Sequence, residues 1–540
     1  MRHSGRVLAI ILASYVMIML DVSIVLTSLP KIRESLAFSA AGLSWVHSAY
    51  TLTFGGLLLL GARAGDILGR RRMMSIGLGL FTVTSLVIGL APSAAWLIGA
   101  RALQGVGAAI LAPSTLALLT THFPEGPART RAVSFYAAVA GVGASVGLVL
   151  GGVMASWLSW RVGFLINVPL GIGLLVAARS TLAETSPRPG AFDLPGALSS
   201  TLGMFALVFA IVRIGTTGVR DPLTVGVLAT GIVLLTLFVV IERRSRQPVM
   251  PLGLFASRER AGAYAARLLF QGGMVGFWFY TTQFLQGVLG FSPLAAGVAF
   301  LATTLPNFAS ALLMPVLTRR FGRDAVLVAG LAVSVIGMAW LSRSSGVTAF
   351  FPGIMLPMVL VGLGQGGTLG PLTAAGIAGV GGEDAGAASG LVNVAHQLGC
   401  ALGLGILVVV FAAANGAGLD EDVLLAHRIA AAYAGATVMV VIALGLSVVS
   451  VRGRLSAPLH SPIAGSSTSR PLATMCGDAF SNRAQLFQRR MASSLAAGRI
   501  RSAFSYDSIA SVIHSCTLCR APGARLRSWA RARRSAIRPP

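Results

Sequence analysis

Long apolar runs, separated by short stretches carrying charge, Gly or Pro, repeat along the chain from near residue 7 to near residue 450. Lipid offers no partner to an unpaired backbone amide, so such runs must become helices, and about 20 residues suffice to cross the hydrocarbon. Runs of that length fall at about 7–29, 46–66, 73–91, 95–119, 132–155, 161–179, 194–213, 222–241, 262–286, 293–317, 325–342, 349–371, 386–412 and 428–450. They predict an all-α polytopic membrane protein with 14 transmembrane helices. Composition agrees. Of 540 residues, 55% are hydrophobic and 11% charged, with a mean hydropathy of +0.80. A soluble domain averages about 25% charged residues, so a soluble enzyme, a disordered regulator and a secreted disulfide scaffold are excluded. The first run is too long for a signal peptide and contains Asp21, so it reads as a retained span.

The net charge of +25 rests on arginine, since Lys31 is the only lysine. Under the positive-inside rule the loops carrying Arg70–Arg72, Arg129, Arg131, Arg243, Arg244, Arg258, Arg260, Arg319, Arg320 and Arg323 are cytoplasmic. The opposite loops hold fewer cations: Lys31, Arg33, Arg161, Arg213, Arg220, Arg343 and Arg428. An even number of spans then puts both termini in the cytoplasm of a cell inner (plasma) membrane.

Arg70–Arg72 follow the second span beside Gly69, and Arg319–Arg323 follow the tenth beside Gly322. Equivalent motifs at equivalent spans suggest two related six-helix bundles with a site between them. The expected division is 1–180 for the first bundle, 181–260 for a linker with two added spans and 261–455 for the second bundle. Residues 456–540 form a tail holding thirteen arginines against Asp478 and Asp507. Two readings of the tail stay open: a disordered basic segment drawn to anionic lipid, or a shifted reading frame in GC-rich DNA.

Several stretches carry a family resemblance. Leu20-Asp21-Val22-Ser23-Ile24-Val25 with Leu29-Pro30, Gly65-Asp66-Ile67-Leu68-Gly69-Arg70-Arg71-Arg72, and Arg101-Ala102-Leu103-Gln104-Gly105-Val106-Gly107 lie in the first third. Gly143, Gly147, Gly151 and Gly152 follow, then Trp160-Arg161 with Phe164, Asn167, Pro169 and Gly171. In the second half stand Gln286–Pro293 and Ala388–Leu391 with Asn393, Gln397 and Gly399. In this order and spacing they resemble the fourteen-span drug/proton antiporter branch of the major facilitator superfamily, over about residues 7–452. Ile67, Leu148 and Leu26 depart from that branch's usual residues.

Asp21 is the one acid well inside an apolar span. A carboxylate in hydrocarbon is costly and must face the bundle interior or a watery cavity. Burial penalises its charged form, which suits a proton-coupling group or a countercharge to a cationic substrate. A structural hydrogen bond to a neighbouring span is the competing reading. Arg101 cannot usefully deprotonate, so its part would be electrostatic; the resemblance links it to proton coupling, and a structural ion pair is the alternative. The resemblance also implies a cytoplasmic latch at Asp66, Gly69, Arg70 and Arg71, where plain charge bias would account for the arginines alone. Gly143, Gly147 and Gly151, four apart, form one helical stripe permitting close backbone approach, and with Gly152 they match the antiporter motif.

The expected cavity wall is mostly neutral: Tyr50, Gln104, Tyr280, Gln283, Asn393 and Gln397, with Gln271, Asn307, Gln365, His396 and the aromatic Trp278 and Phe279. Such a wall suits a bulky amphipathic molecule, though most of these residues could equally be interhelical hydrogen-bond partners. There is no phosphate-cradling Gly-rich loop with Lys and Ser/Thr, and Cys516 and Cys519 lack a second ligand pair. The expectation is therefore a non-enzyme without metal or cofactor, driven by the proton-motive force. It would be a monomer in lipid that exports a small amphipathic drug or antibiotic and binds no nucleic acid. A proton-coupled metabolite importer, and a receptor or lipid-handling protein on the same fold, remain open.

Overall fold

The computed structural model describes residues 2–123, 127–184, 193–245, 248, 250–380, 385–414 and 420–455. Among them there is no β-strand. The helices are α1 (Arg2–Leu36), α2 (Ala40–Leu43), α3 (Trp45–Leu68), α4 (Arg70–Gly89), α5 (Ala94–His122), α6 (Pro127–Trp157), α7 (Trp160–Leu165) and α8 (Asn167–Thr181). After these come α9 (Leu194–Thr217), α10 (Pro222–Arg244), α11 (Arg258–Gln283), α12 (Pro293–Ala299), α13 (Leu301–Phe321), α14 (Arg323–Leu341), α15 (Met355–Gly376), α16 (Ala385–Ala413) and α17 (Glu421–Leu455). The expectations for 456–540 lie outside the described residues.

Short polar caps set where the helices begin. Ser93 accepts from the Trp96 amide, Asp193 from Gly196, Asp221 from Thr224 and Ser292 from Ala295. Each satisfies an amide that has no intrahelical partner. Proline at the start of α9, α10 and α12 reinforces the same boundaries.

Among the described residues, twelve helical segments are long and apolar enough to span a membrane, fewer than the fourteen expected. The expected segment at 132–155 is helical within α6, whose Val142–Trp157 stretch is apolar, and the segment at 262–286 is helical in α11 but does not meet that measure. For α11 the reason is physical. It is buried along most of its length and brings Arg267, Gln271, Tyr280 and Gln283 into the interior, so its polar groups face other helices rather than lipid. The opposite case is α10, whose Val225, Ile232, Val233 and Leu237 stay exposed as a lipid-facing surface.

In the first half α3 and α4 pack on α5, while α6 packs on α1. In the second half α11 packs on α16 and α17, and α15 on α13 and α14. The halves meet through α3 with α16, α6 with α12 and α1 with α11. Helix α9 lies along the first of these seams and touches both α3 and α16. On α9 Thr201 packs on Gly56, and further along the helix Val208, Ile211 and Val212 pack on Gly405. Trp45 stacks on Phe205 with centroids 6.3 Å apart.

Candidate functional site

Glycine lets α3 and α5 approach closely: a Cβ on Gly105 would collide with the Tyr50 carbonyl and the Thr53 hydroxyl. Thr53 donates to the Ala102 carbonyl at 2.8 Å across the same contact. On α5, Arg101 and Gln104 are three residues apart and share a face, and the tight packing holds that face toward α1. There Asp21 waits. Arg101 Nη1 lies 2.6 Å from Asp21 Oδ2, and neither side chain has any exposure.

The carboxylate is held by more than the arginine. Gln104 Nε2 donates to Asp21 Oδ1 at 2.9 Å and to Ser85 Oγ at 2.8 Å. Asn167 Nδ2 donates to the same Oδ1 at 3.1 Å. Arg101 also donates to the Gln104 side-chain oxygen and, through Nε, to the Val46 carbonyl at 3.0 Å. The Tyr50 ring lies under the guanidinium, 4.3 Å from Cζ to centroid. Five helices, α1, α3, α4, α5 and α8, thus converge on one ion pair. Two charges leaving water carry a heavy desolvation cost, so the cluster is tolerable only because most of its lone pairs and N–H groups are engaged.

Some buried polar atoms beside it have no protein partner: Arg101 Nη2, the Asn167 side-chain oxygen, the Tyr50 hydroxyl and both ring nitrogens of His47. An isolated buried polar atom is expensive, and here several sit together. Ser85 and His47 were missed by sequence reasoning. For His47 the available signal was its helical spacing with Tyr50 and Phe54, whereas Ser85 is one serine among many.

At the arginine-rich end Asp66 accepts from Arg70 at 2.9 Å, and Arg70 also reaches the Ala117 carbonyl and the Thr121 hydroxyl. Glu184, which the sequence did not single out, accepts from the backbone amides of Arg71 and Arg72 at 3.0 Å each. It caps α4 where the helix dipole favours a negative charge. Gly69, with φ +100°, makes the turn between α3 and α4, and Arg71 also donates to the Leu182 carbonyl.

Gly143, Gly147 and Gly151 face α1: a Cβ on Gly147 would stand 2.7 Å from Ser23 Cβ, and one on Gly151 would stand 2.7 Å from Ile24 Cα. Gly152 turns the other way, to within 2.8 Å of Leu294 Cα on α12. Gly297 of α12 packs in return on the Leu148 carbonyl. Stripe and neighbour therefore serve different contacts, one inside the first half and one between halves.

The expected cavity residues separate into groups. Tyr50 and Gln104 belong to the Asp21 cluster. Tyr280 is buried, stacked on Phe411 at 5.4 Å. Gln283 lines a cavity of about 580 Å³ with Lys31, Glu34, Gln286 and Phe291. Gln397 packs on Gly55 across the seam, and Asn393 is exposed, donating to the Ser389 carbonyl. Asn307 donates to Gln365 at 3.2 Å.

Comparison with known proteins places this arrangement. The model of the Major Facilitator Superfamily matches residues 11–404. The chain is 40% identical over 474 residues to the cephamycin export protein of Amycolatopsis lactamdurans, covering 86% of this chain and 97% of that one. It is 38% identical over 446 residues to the puromycin resistance protein of Streptomyces alboniger, covering 81% and 88%. Among solved structures, a bacterial homologue of the human lysosomal transporter Spinster, inward-facing and unoccupied, aligns with a TM-score of 0.62 at 16% identity. That alignment covers 85% of this chain and 99% of the other. This chain belongs to the Major Facilitator Superfamily, and it is an integral membrane protein.

Proposed function

We propose that the protein is a proton-coupled exporter of small amphipathic organic compounds, antibiotics among them. It would sit in the plasma membrane with both termini in the cytoplasm. The observation that carries the reading is the sealed Asp21–Arg101 pair, set where α1 and α5 meet. Its relatives named for cephamycin export and puromycin resistance support the substrate class.

The geometry supports a route for coupling. A proton on Asp21 removes the charge that holds Arg101 and weakens acceptance from Gln104 and Asn167. The guanidinium must then find other acceptors, which favours a different packing of α1 against α5. Loss of the proton restores the pair. Substrate binding and protonation would compete through this rearrangement, which is antiport in the sense of linked equilibria. Asp66, Gly69, Arg70 and Arg71, with Glu184, would hold the arginine-rich end in one state, and the Gly152–α12 contact would move between states. Tyr50, Gln104, Tyr280, Gln283, Asn393 and Gln397 would face the substrate path in one or another of those states. No metal or organic cofactor is called for, and the chain would work as a monomer.

Everted vesicles test this. An imposed proton gradient should drive dye or antibiotic accumulation, and Asp21→Asn should lower the gradient-driven rate by at least about tenfold, the equivalent of 1.4 kcal/mol. Unchanged flux in Asp21→Asn would refute the coupling. Accumulation in the opposite sense would favour the importer, and no flux of any solute would favour the receptor or lipid-handling protein.

A further inference from the structure

The second half contains a buried cation of a different kind. Arg267 on α11 is 7% exposed and lies among α11, α15 and α16. Its Nη1 donates to the Leu369 carbonyl at 3.1 Å and to the Thr373 hydroxyl at 3.2 Å, and its Nη2 faces His396 Nδ1 at 3.2 Å. Among the described residues no carboxylate pairs with it, in contrast to Arg101. Between Asp324 and Glu383 the sequence has no acid at all, so α15 brings none to this place.

The hydrogen-bond count sharpens the imbalance. A neutral imidazole offers one acceptor nitrogen. With Arg267 donating to Nδ1, His396 Nε2 carries a proton, and the Gln271 amide 3.0 Å away must turn its oxygen toward it. The other end of that amide is then an N–H₂ group in the position that has no partner, beside the equally unpartnered Arg267 Nε. The cluster thus has one full positive charge, surplus N–H donors and no acceptor to spare. An unpaired buried cation is among the costliest features a protein interior can hold. His396 and Thr373 are only half-buried, and His396 shares its face of α16 with the half-buried Gln397 and the exposed Asn393.

We propose that Arg267, with Gln271, Thr373 and His396, binds the carboxylate of a transported substrate. The inference rests on the transport reading above. A carboxylate is planar, anionic and acceptor-only, which matches a guanidinium fork flanked by an amide. It would supply the charge that Arg267 lacks, while the amphipathic remainder of the substrate lies along the aromatic and amide groups of the path. Substrates bearing a free acid would be preferred over their esters, and the second half would read charge while the first handles the proton.

The matched probes are rhodamine B, which carries a free carboxylate, and its ethyl ester. Fluorescence polarisation with the purified full-length protein should show tighter binding of the acid. Arg267→Gln should weaken the acid by about tenfold or more and the ester by less than about twofold, as expected for loss of one charge-assisted contact. Arg267→Lys should restore part of the preference. Thr373→Val and His396→Gln, which keep the cation, should each reduce it by about threefold, and they carry the test should Arg267→Gln fail to fold. A wild type without preference for the acid, including one that binds neither dye, overturns the inference. Equal loss of both dyes also overturns it, because that marks Arg267 as a purely structural tie. Gradient-driven flux of the ester, unchanged in Arg267→Gln, reports separately on the transport reading.

Discussion

Asp21 and Arg101 are eighty residues apart in sequence and 2.6 Å apart in space, with no solvent reaching either side chain. Each charge is tolerable only in the presence of the other. Asp21→Asn and Arg101→Gln should therefore each destabilise the protein by about 3–5 kcal/mol, as for other buried pairs broken from one side. The double variant should lose less than the sum, by about 1–3 kcal/mol. Unfolding by detergent titration measures the cycle, and strict additivity would show that the pair is not energetically coupled.

The glycine contact between α6 and α1 gives a second prediction. A side chain at Gly147 or Gly151 would meet Ser23, Leu20 or Ile24 before it could find room. Gly147→Leu or Gly151→Val should cost about 1–3 kcal/mol or more through forced separation of the helices. Gly226→Ala, in open space on α10, should be neutral or stabilising by up to about 1 kcal/mol. Thermal unfolding of the three variants side by side checks the contrast.

At the start of α10, outside the span, Asp221 is held by Arg213 Nε at 2.9 Å, the Thr224 hydroxyl at 2.7 Å and the Thr224 amide at 2.9 Å. These hydrogen bonds, Arg213's first, bring its carboxyl down to about 2 from an ordinary 3.8. The folded value is the lower one, so the contribution is present above the unfolded value and disappears as pH falls toward about 2. The difference in melting temperature between wild type and Asp221→Asn should be constant at neutral pH and shrink below about pH 4. A difference that grows on acidification would reverse the assignment.

Glu184 and Gly69 give the fourth. Removing the cap in Glu184→Ala should cost about 0.5–2 kcal/mol. Gly69→Ala adds a Cβ at φ +100°, 2.7 Å from Glu184 Oε1, and should cost about 1–2 kcal/mol. In the double variant the clash is gone and only backbone strain and the lost cap remain. Its cost should fall below the sum, and hydrogen exchange at the Arg71 and Arg72 amides would locate the effect.

Hydropathy made the helical class legible because lipid forces one answer on every long apolar run. It served less well where a helix is surrounded by protein. In α11 the interior position of Arg267, Gln271 and Gln283 is what lowers the apolar signal. The motif around Asp21 and the one around Arg101 each stood out alone, but their meeting depends on how α1 and α5 cross, which no local pattern encodes. Ser85 and Glu184 left almost no trace. Their importance comes from neighbours supplied by other helices, Gln104 to one and the Arg71 and Arg72 amides to the other. Arg267 was visible as a residue yet unremarkable, since the absence of a matching acid shows only in three dimensions.

Helix α9 touches both α3 and α16, which also touch each other. A break in the chain between α10 and α11 would thus leave an N-terminal fragment whose mating surface has two walls, α3 and α9, with a trough between them. The C-terminal fragment offers α16 to fill that trough. Two separately produced pieces would therefore dock in one register, with α9 and α10 acting as a jig for reassembly.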